Sequence, residues 1–387
     1  MNSEEILAHL VAFDTTSTRS NLQLIDFVRN LLDDHAIESQ LVHSDDHSCA
    51  NLYATIGPDD RGGVMLSGHT DVVPTAGQDW HSDPYQLKTE DTLLFGRGSC
   101  DMKGFIACVL AGLPQIAAEQ LQTPIHLAFS YDEEIGCVGA KKLVDSMAGF
   151  EVRPRFGLIG EPTNMSLVLG HKGKVSFRVT VSGFSCHSAY ISNGVNAVEY
   201  AAELIAFIRN MNTRVRQNLT DPSYTVPHTT FHVGNISGGT ALNIVPRQCV
   251  FEFEIRNLPQ QNPDSLVDEI KHFASDVLLA DMQSRYPQSE IRFEETSCYP
   301  GLHTDPAAAV IAYTRAINPV DEVGDNVSFG TEAGLFDSIG INSLVCGPGS
   351  IEQAHKPDEF VSREQMQYCD QMIENLVHRC RERPESG

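Results

Sequence analysis

The 387-residue sequence predicts an α/β protein: a mainly parallel sheet flanked by helices, interrupted by an inserted α+β domain. Three observations predict it. Short apolar runs alternate with helix-length stretches over residues 1–172, the pattern of parallel strands covered on both faces. Near residue 172 the apolar positions begin to alternate strictly, with Val175, Phe177, Val179 and Val181 set against Lys174, Ser176, Arg178 and Thr180. That is an antiparallel strand with one wet face. After about residue 297 the first pattern resumes. The predicted divisions are 1–172 and 297–387, which form one domain, and 173–296, an insertion of ordinary domain size.

The elements follow in order. Ser3 caps a first helix carrying Ile6, Leu7, Leu10 and Val11. Leu24, Ile25, Val28, Leu31 and Leu32 mark a second. Strands are predicted at 37–42, 51–56 and 63–67. The polar stretch 75–92, with the only tryptophan, Trp80, reads as a loop. A helix is predicted at 102–119, then a strand at 125–130, another helix, and a strand at 156–160. The insertion reads strand, helix (195–211), strand (229–236), strand (249–255), helix (264–280), strand (289–295). This β-α-β-β-α-β order is that of a ferredoxin-like unit. Helix 305–317, strand 343–346 and helix 362–381 complete the chain.

Composition narrows the function. The formal net charge of −24 argues against nucleic acid and anionic membranes as partners. No stretch approaches the ~20 apolar residues of a membrane helix. The ten cysteines stand singly, with no C-x-x-C pair, and the acidic start lacks a signal-peptide pattern. A reducing, cytoplasmic home is the expectation. Cys100, Cys137 and Cys186 read as small buried hydrophobes.

The chemistry gathers at predicted strand ends. His69 and Asp71 are two residues apart in extended chain and face the same side, so the carboxylate can orient the imidazole as a metal ligand. Glu133 and Glu134 follow one strand and Glu161 another. Adjacent carboxylates are costly unless a cation offsets them. One can bind metal while its neighbour accepts a proton. With Asp101 and His355, the set His69, Asp101, Glu134, Glu161 and His355 suits zinc or a neighbouring divalent ion. One bridging carboxylate flanked by two ligand pairs would hold two ions about 3.5–4 Å apart.

Five segments occur together in one family: His69-Thr70-Asp71-Val72-Val73-Pro74, Gly96-Arg97-Gly98-x-x-Asp101-Met102-Lys103-Gly104, Asp132-Glu133-Glu134, Gly160-Glu161-Pro162-Thr163 and the late His355. The chain resembles, over nearly its whole length, the dinuclear zinc amidohydrolases and peptidases that include acetylornithine deacetylase, succinyl-diaminopimelate desuccinylase and carboxypeptidase G type enzymes. The resemblance implies a zinc aminopeptidase-like catalytic domain whose insertion serves as lid and dimerisation domain in a homodimer. It implies two zinc ions, replaceable by cobalt, with Asp101 as bridge. His69 and Glu161 would complete one ion, Glu134 and His355 the other. Asp71 would orient His69, and Glu133 would act as general base and then acid.

In the insertion, Gly183-Phe184-Ser185-Cys186-His187-Ser188 is similar to the family motif whose histidine reaches the oxyanion across the dimer. This implies that role for His187, with Cys186 standing where the family has glycine. Asn243 and Arg256 would bind a substrate carboxylate, Arg256 by its fork, with Lys172 as a point charge. Gly330-Thr331-Glu332-Ala333-Gly334 and Gly347–Glu359 are most similar to the acetylornithine deacetylase branch. That implies an N-acyl amino acid substrate, N2-acetyl-L-ornithine, in arginine synthesis, with Glu332 meeting its side-chain amine. Desuccinylase, aminoacylase and dipeptidase activities are the alternatives within the family. A non-catalytic binding relative is the alternative outside them.

Overall fold

The apolar runs at 64–66, 125–129 and 156–159 form the middle of a six-stranded sheet. In this computed structural model, which describes residues 1–382, its strands run in the spatial order Ser39–His43, Ala50–Ile56, Ile125–Ser130, Val64–His69, Phe156–Ile159, Asn342–Val345. The last four are mutually parallel. The first two pair antiparallel at one edge. The three middle strands are buried along their whole length, which is why they read as continuous apolar runs rather than alternations. Parallel direction brings the carboxyl ends of 64–69, 125–130 and 156–159 to one edge, where His69, Glu133, Glu134 and Glu161 follow.

Helices Ser3–Ala12, Lys103–Ala111 and Arg363–Arg381 pack together beside this sheet. Phe105, Leu127, Leu158 and Leu376 share their core. Gly160 ends its strand against Phe105, where a Cβ would stand 2.0 Å from the ring. The first helix is capped by Asn2 rather than Ser3. The Asn2 side chain accepts the Glu5 N–H and the Glu5 carboxylate returns the bond, a capping box. Ser3 instead donates to Asp370. The predicted helix 102–119 is two helices, Lys103–Ala111 and Leu113–Ala118, because Pro114 starts a new first turn.

The chain forms two units. The first holds residues Met1–His171, Leu302–Asn326 and Thr331 onward; the second holds Lys172–Gly301 with Val327–Gly330. The second unit is a four-stranded antiparallel sheet in the order Thr230–Gly238, Gln248–Asn257, Gly173–Ser182, Glu290–Tyr299. First and third strands lie in the middle, as β-α-β-β-α-β folding produces. Helices Ala197–Val215 and Pro263–His272 bury Leu204, Ile208 and Ile270 with Val175, Phe177 and Val179. The expected boundary at 296/297 falls inside the last strand. A bulge between Glu295 and Ser297 lets that strand run on to Tyr299, past the point where simple alternation fails. Gly330 belongs with this unit because it lies on the Tyr299 ring. No helix among the described residues is long and apolar enough to cross a membrane.

One polar group lies inside the first sheet. The His126 Nδ1 sits 2.9 Å from the Tyr53 hydroxyl and 3.0 Å from that of Thr55, and burial pushes the imidazole down to about 4 from 6.5. Between those values the unfolded chain binds the proton that the folded chain refuses. Stability is therefore intact above pH 6.5 and is lost as pH falls toward 4, by on the order of 3 kcal/mol in full. His126→Gln removes this titration. Its melting temperature is expected to fall less than that of the wild type between pH 6.5 and 4; parallel curves would contradict the assignment.

Candidate metal centre

Seven side chains of the first unit meet at the carboxyl edge of its sheet. His69 ends the strand Val64–His69, and its Nε2 lies 3.0 Å from Asp101 Oδ1 and 3.7 Å from Glu161 Oε1. His355 approaches from the late segment, with Nε2 3.4 Å from Asp101 Oδ2 and 3.0 Å from Glu134 Oε2. Each oxygen of Asp101 thus faces a different imidazole. His69, Asp101, Glu133 and Glu161 are buried; His355 is half exposed, its side chain at 55%.

Asp71 lies against both His69 and the turn that follows the neighbouring strand. The His69 Nδ1 is 3.0 Å from the Asp71 carbonyl oxygen and 3.6 Å from its carboxylate. The carboxylate accepts the backbone N–H of Glu133 at 3.0 Å and of Glu134 at 3.2 Å, and the Ser17 hydroxyl at 2.8 Å. It therefore fixes the turn that carries both acids. Cys137 donates its thiol to Glu133 Oε1 at 3.2 Å.

The electrostatics call for a cation. Burial, reinforced by neighbouring carboxylates, pushes Glu133 up to about 8 and Glu134 up to about 7. Burial and Asp101 push Glu161 well above the usual carboxylate range. Burial works to raise Asp101 too, but His355 and His69 hold it far below that range. Asp101 and Glu134 in turn raise His355 to about 10. More buried carboxylates share this point than two imidazoles can neutralise, and buried charge is stable only when paired or coordinated. His69, Glu133 and Glu161 offer donor atoms within 4.8 Å of one another, as do His69, Asp101 and Glu134. This imidazole and carboxylate set fits divalent metal.

Glu332 departs from its expected role. It is fully buried, with Oε1 accepting the Ser67 hydroxyl at 2.5 Å and Oε2 the Ser130 hydroxyl at 2.7 Å. Both oxygens are engaged inside the sheet, so it braces two strand ends rather than presenting a carboxylate to a substrate amine. In the second unit, Lys172 is buried and donates to the His228 carbonyl at 2.6 Å. Burial, aided by Arg256, brings Lys172 down to about 8. Arg256 pairs with Glu254 at 2.9 Å. His187 accepts the Ala189 N–H at 3.0 Å and bridges to Ile244, next to exposed Asn243. Cys100 and Cys137 are buried as expected. Cys186 is only half buried and donates to the Tyr190 carbonyl, so it is no core residue. The sequence gives Cys137 only a buried apolar role, not its bond to Glu133, and assigns no part to Gln78, Arg97 or Glu359. The last two stood inside the motifs, and a charged pair sharing motifs with metal ligands was the available signal.

Carboxylates and imidazoles crowded at the carboxyl ends of a parallel sheet make a candidate centre for divalent metal. Residues 65–379 match Peptidase family M20/M25/M40, and the chain belongs to that family. It is 34% identical over 374 residues to an acetylornithine deacetylase of Proteus mirabilis, covering 94% of this chain and 92% of the relative. To an acetylornithine deacetylase of Myxococcus xanthus it is 33% identical over 380 residues, covering 97% and 96%. Its fold is similar to a Sulfolobus solfataricus M20 metallo-carboxypeptidase, with a TM-score of 0.78 at 16% identity over 97% of this chain and 99% of that one. A Staphylococcus aureus tripeptidase gives 0.74 at 20% identity, covering 98% of each chain.

Asp71→Ala removes the acceptor that holds the Glu133–Glu134 turn. Affinity of the metal-free protein for Zn²⁺ is expected to drop ~10–100-fold without abolishing uptake. Calorimetric titration checks it, and wild-type affinity would contradict the role given to Asp71.

Proposed function

We propose that the chain hydrolyses the amide of an N-acyl amino acid, first of all N2-acetyl-L-ornithine to L-ornithine and acetate, a step of arginine synthesis. The observation that carries the reaction class is Asp101, with one oxygen toward His69 and the other toward His355. That arrangement suits a carboxylate shared by two ions. The substrate is supported by 34% identity, over nearly the full length, to an enzyme named acetylornithine deacetylase.

Two zinc ions, or cobalt in their place, would be held by His69, Asp101, Glu134, Glu161 and His355. Such a pair supplies Lewis acidity toward a carbonyl oxygen and toward water. Glu133 takes the proton of the water that attacks the amide carbon and delivers it to the nitrogen as the C–N bond breaks. Burial and the neighbouring carboxylates raise the affinity of Glu133 for a proton, and cations held beside it would offset that rise and leave the carboxylate ionised to take the proton. Asp71 and Cys137 hold Glu133 from its backbone and its Oε1. Arg256 and Asn243, with Lys172, are assigned to the substrate carboxylate, and His187 to the carbonyl oxygen.

A homodimer is part of this reading. The strand Thr230–Gly238 is an edge of the second unit's sheet with most of its residues exposed. Phe184, Ile191, Ile236, Leu242 and Ile244 are exposed apolar residues of that unit. An open edge beside apolar surface is what a second copy would cover.

The test is a substrate panel on zinc-loaded protein whose mass in solution corresponds to two 42.5 kDa chains. N2-acetyl-L-ornithine is expected to be turned over fastest, ahead of N-succinyl-diaminopimelate and a dipeptide. Glu133→Ala is expected to lose turnover, by at least ~10²-fold, while binding metal normally. Equal or better turnover of the other substrates would overturn the substrate, and an active Glu133→Ala would overturn the mechanism.

A further inference from the structure

Glu359 lies four residues past His355 and touches no other candidate metal ligand with its side chain except through a backbone N–H. Its carboxylate is 1% exposed and accepts four hydrogen bonds. Oε1 takes the N–H groups of Cys100 at 2.9 Å and Asp101 at 3.0 Å. Oε2 takes the Gly98 N–H at 2.9 Å and Arg97 Nη1 at 2.7 Å. Its backbone carbonyl accepts the Gly96 N–H at 2.9 Å. One residue thus engages most of the backbone donors in the loop that presents Asp101. The loop has little slack. Gly98 has φ +81°, and a Cβ there would stand 2.6 Å from Val72.

Arg97 carries the linkage further. Its Nη2 donates to Gln78 Oε1 at 2.6 Å, and its guanidinium lies over the Trp80 ring at 5.0 Å. Gln78 Nε2 then donates to the His355 carbonyl at 2.9 Å. His355 has φ +64°, a left-handed conformation that a non-glycine residue keeps only where surrounding contacts enforce it. The path Glu359–Arg97–Gln78–His355 closes on itself through the chain 355–359. A planar guanidinium can hold two acceptors at a fixed angle, which an ammonium cannot.

We propose that Glu359 is the positioning residue of the metal centre: it holds the backbone of Asp101 directly and, through Arg97 and Gln78, that of His355. The proposal rests on the two-ion reading above. It assigns unequal effects to its members. Glu359 governs the backbone of Asp101, shared by both ions, whereas Gln78 governs only the His355 segment.

The experiment titrates metal-free wild type, Glu359→Gln, Gln78→Ala and Arg97→Lys with Zn²⁺ by calorimetry. Visible spectra of the Co²⁺-loaded proteins are recorded alongside, and circular dichroism establishes folding. In Glu359→Gln an NH2 group replaces one carboxylate oxygen and faces two donors from which it cannot accept, and affinity for both ions is expected to fall ~10–100-fold. Gln78→Ala leaves the Arg97–Glu359 pair intact, so one ion is expected to bind more weakly and the other as in wild type, with a changed Co²⁺ spectrum. Arg97→Lys keeps the charge and is expected to behave like Gln78→Ala, which a purely structural ion pair would not. Should Glu359→Gln fail to fold, Gln78→Ala decides. Wild-type uptake of two ions with unchanged affinity and spectrum in Gln78→Ala overturns the proposal alone. Wild-type protein that takes up no second ion overturns the two-ion reading itself.

Discussion

The rest of the first unit is organised by one constraint: too much negative charge is buried at one end of its sheet. Asp71, Asp101, Glu133 and Glu161 are all nearly inaccessible there. Burying an ionised carboxylate without a partner is prohibitive, so each must be hydrogen-bonded, protonated or neutralised. The structure divides them. Asp71 is satisfied by two peptide N–H groups and the Ser17 hydroxyl, and Glu359 by the Asp101 loop and Arg97. Glu332 is satisfied by Ser67 and Ser130. Glu133, Glu134 and Glu161 are left with raised affinity for positive charge. Those three surround the space that Asp101 and two imidazoles also face.

The fold makes that crowding possible at tolerable cost. A parallel sheet places several strand ends in one row, and loops leaving those ends can converge without spanning distance. The apolar interior of the sheet keeps the row rigid. His69 and Glu161 follow neighbouring strands, and Glu133 and Glu134 the strand on the other side. His355 comes from far along the chain, and its backbone is tied back by Gln78.

Legibility in the sequence followed the physics. The catalytic sheet could be read because buried parallel strands are continuous apolar runs, and the insertion because Val175 to Val181 alternate without a break. The five ligand candidates stood out because the sequence places most of them at predicted strand ends, where the loops of a parallel sheet converge. Features decided by a competing partner were not legible. Asn2 outcompeted Ser3 as a cap because Glu5 completes a reciprocal pair with it and Ser3 finds Asp370. The bulge at Glu295–Ser297 hid the end of the last inserted strand. Glu332 looked like a substrate contact because sequence shows charge but not the two hydroxyls waiting for it. Glu359 lies within a motif, but three of its four partners are backbone N–H groups, which leave no trace in residue identity; only the opposite charge of Arg97 points to it.

The central claim is that Asp101 is shared between two ions. Anomalous diffraction at the zinc edge from crystals of the zinc-loaded protein tests it directly. The account predicts two peaks about 3.5–4 Å apart, one on each side of Asp101, the first next to His69 and Glu161 and the second next to Glu134 and His355. A single peak, or a pair that leaves Asp101 outside the coordination of either ion, would contradict it.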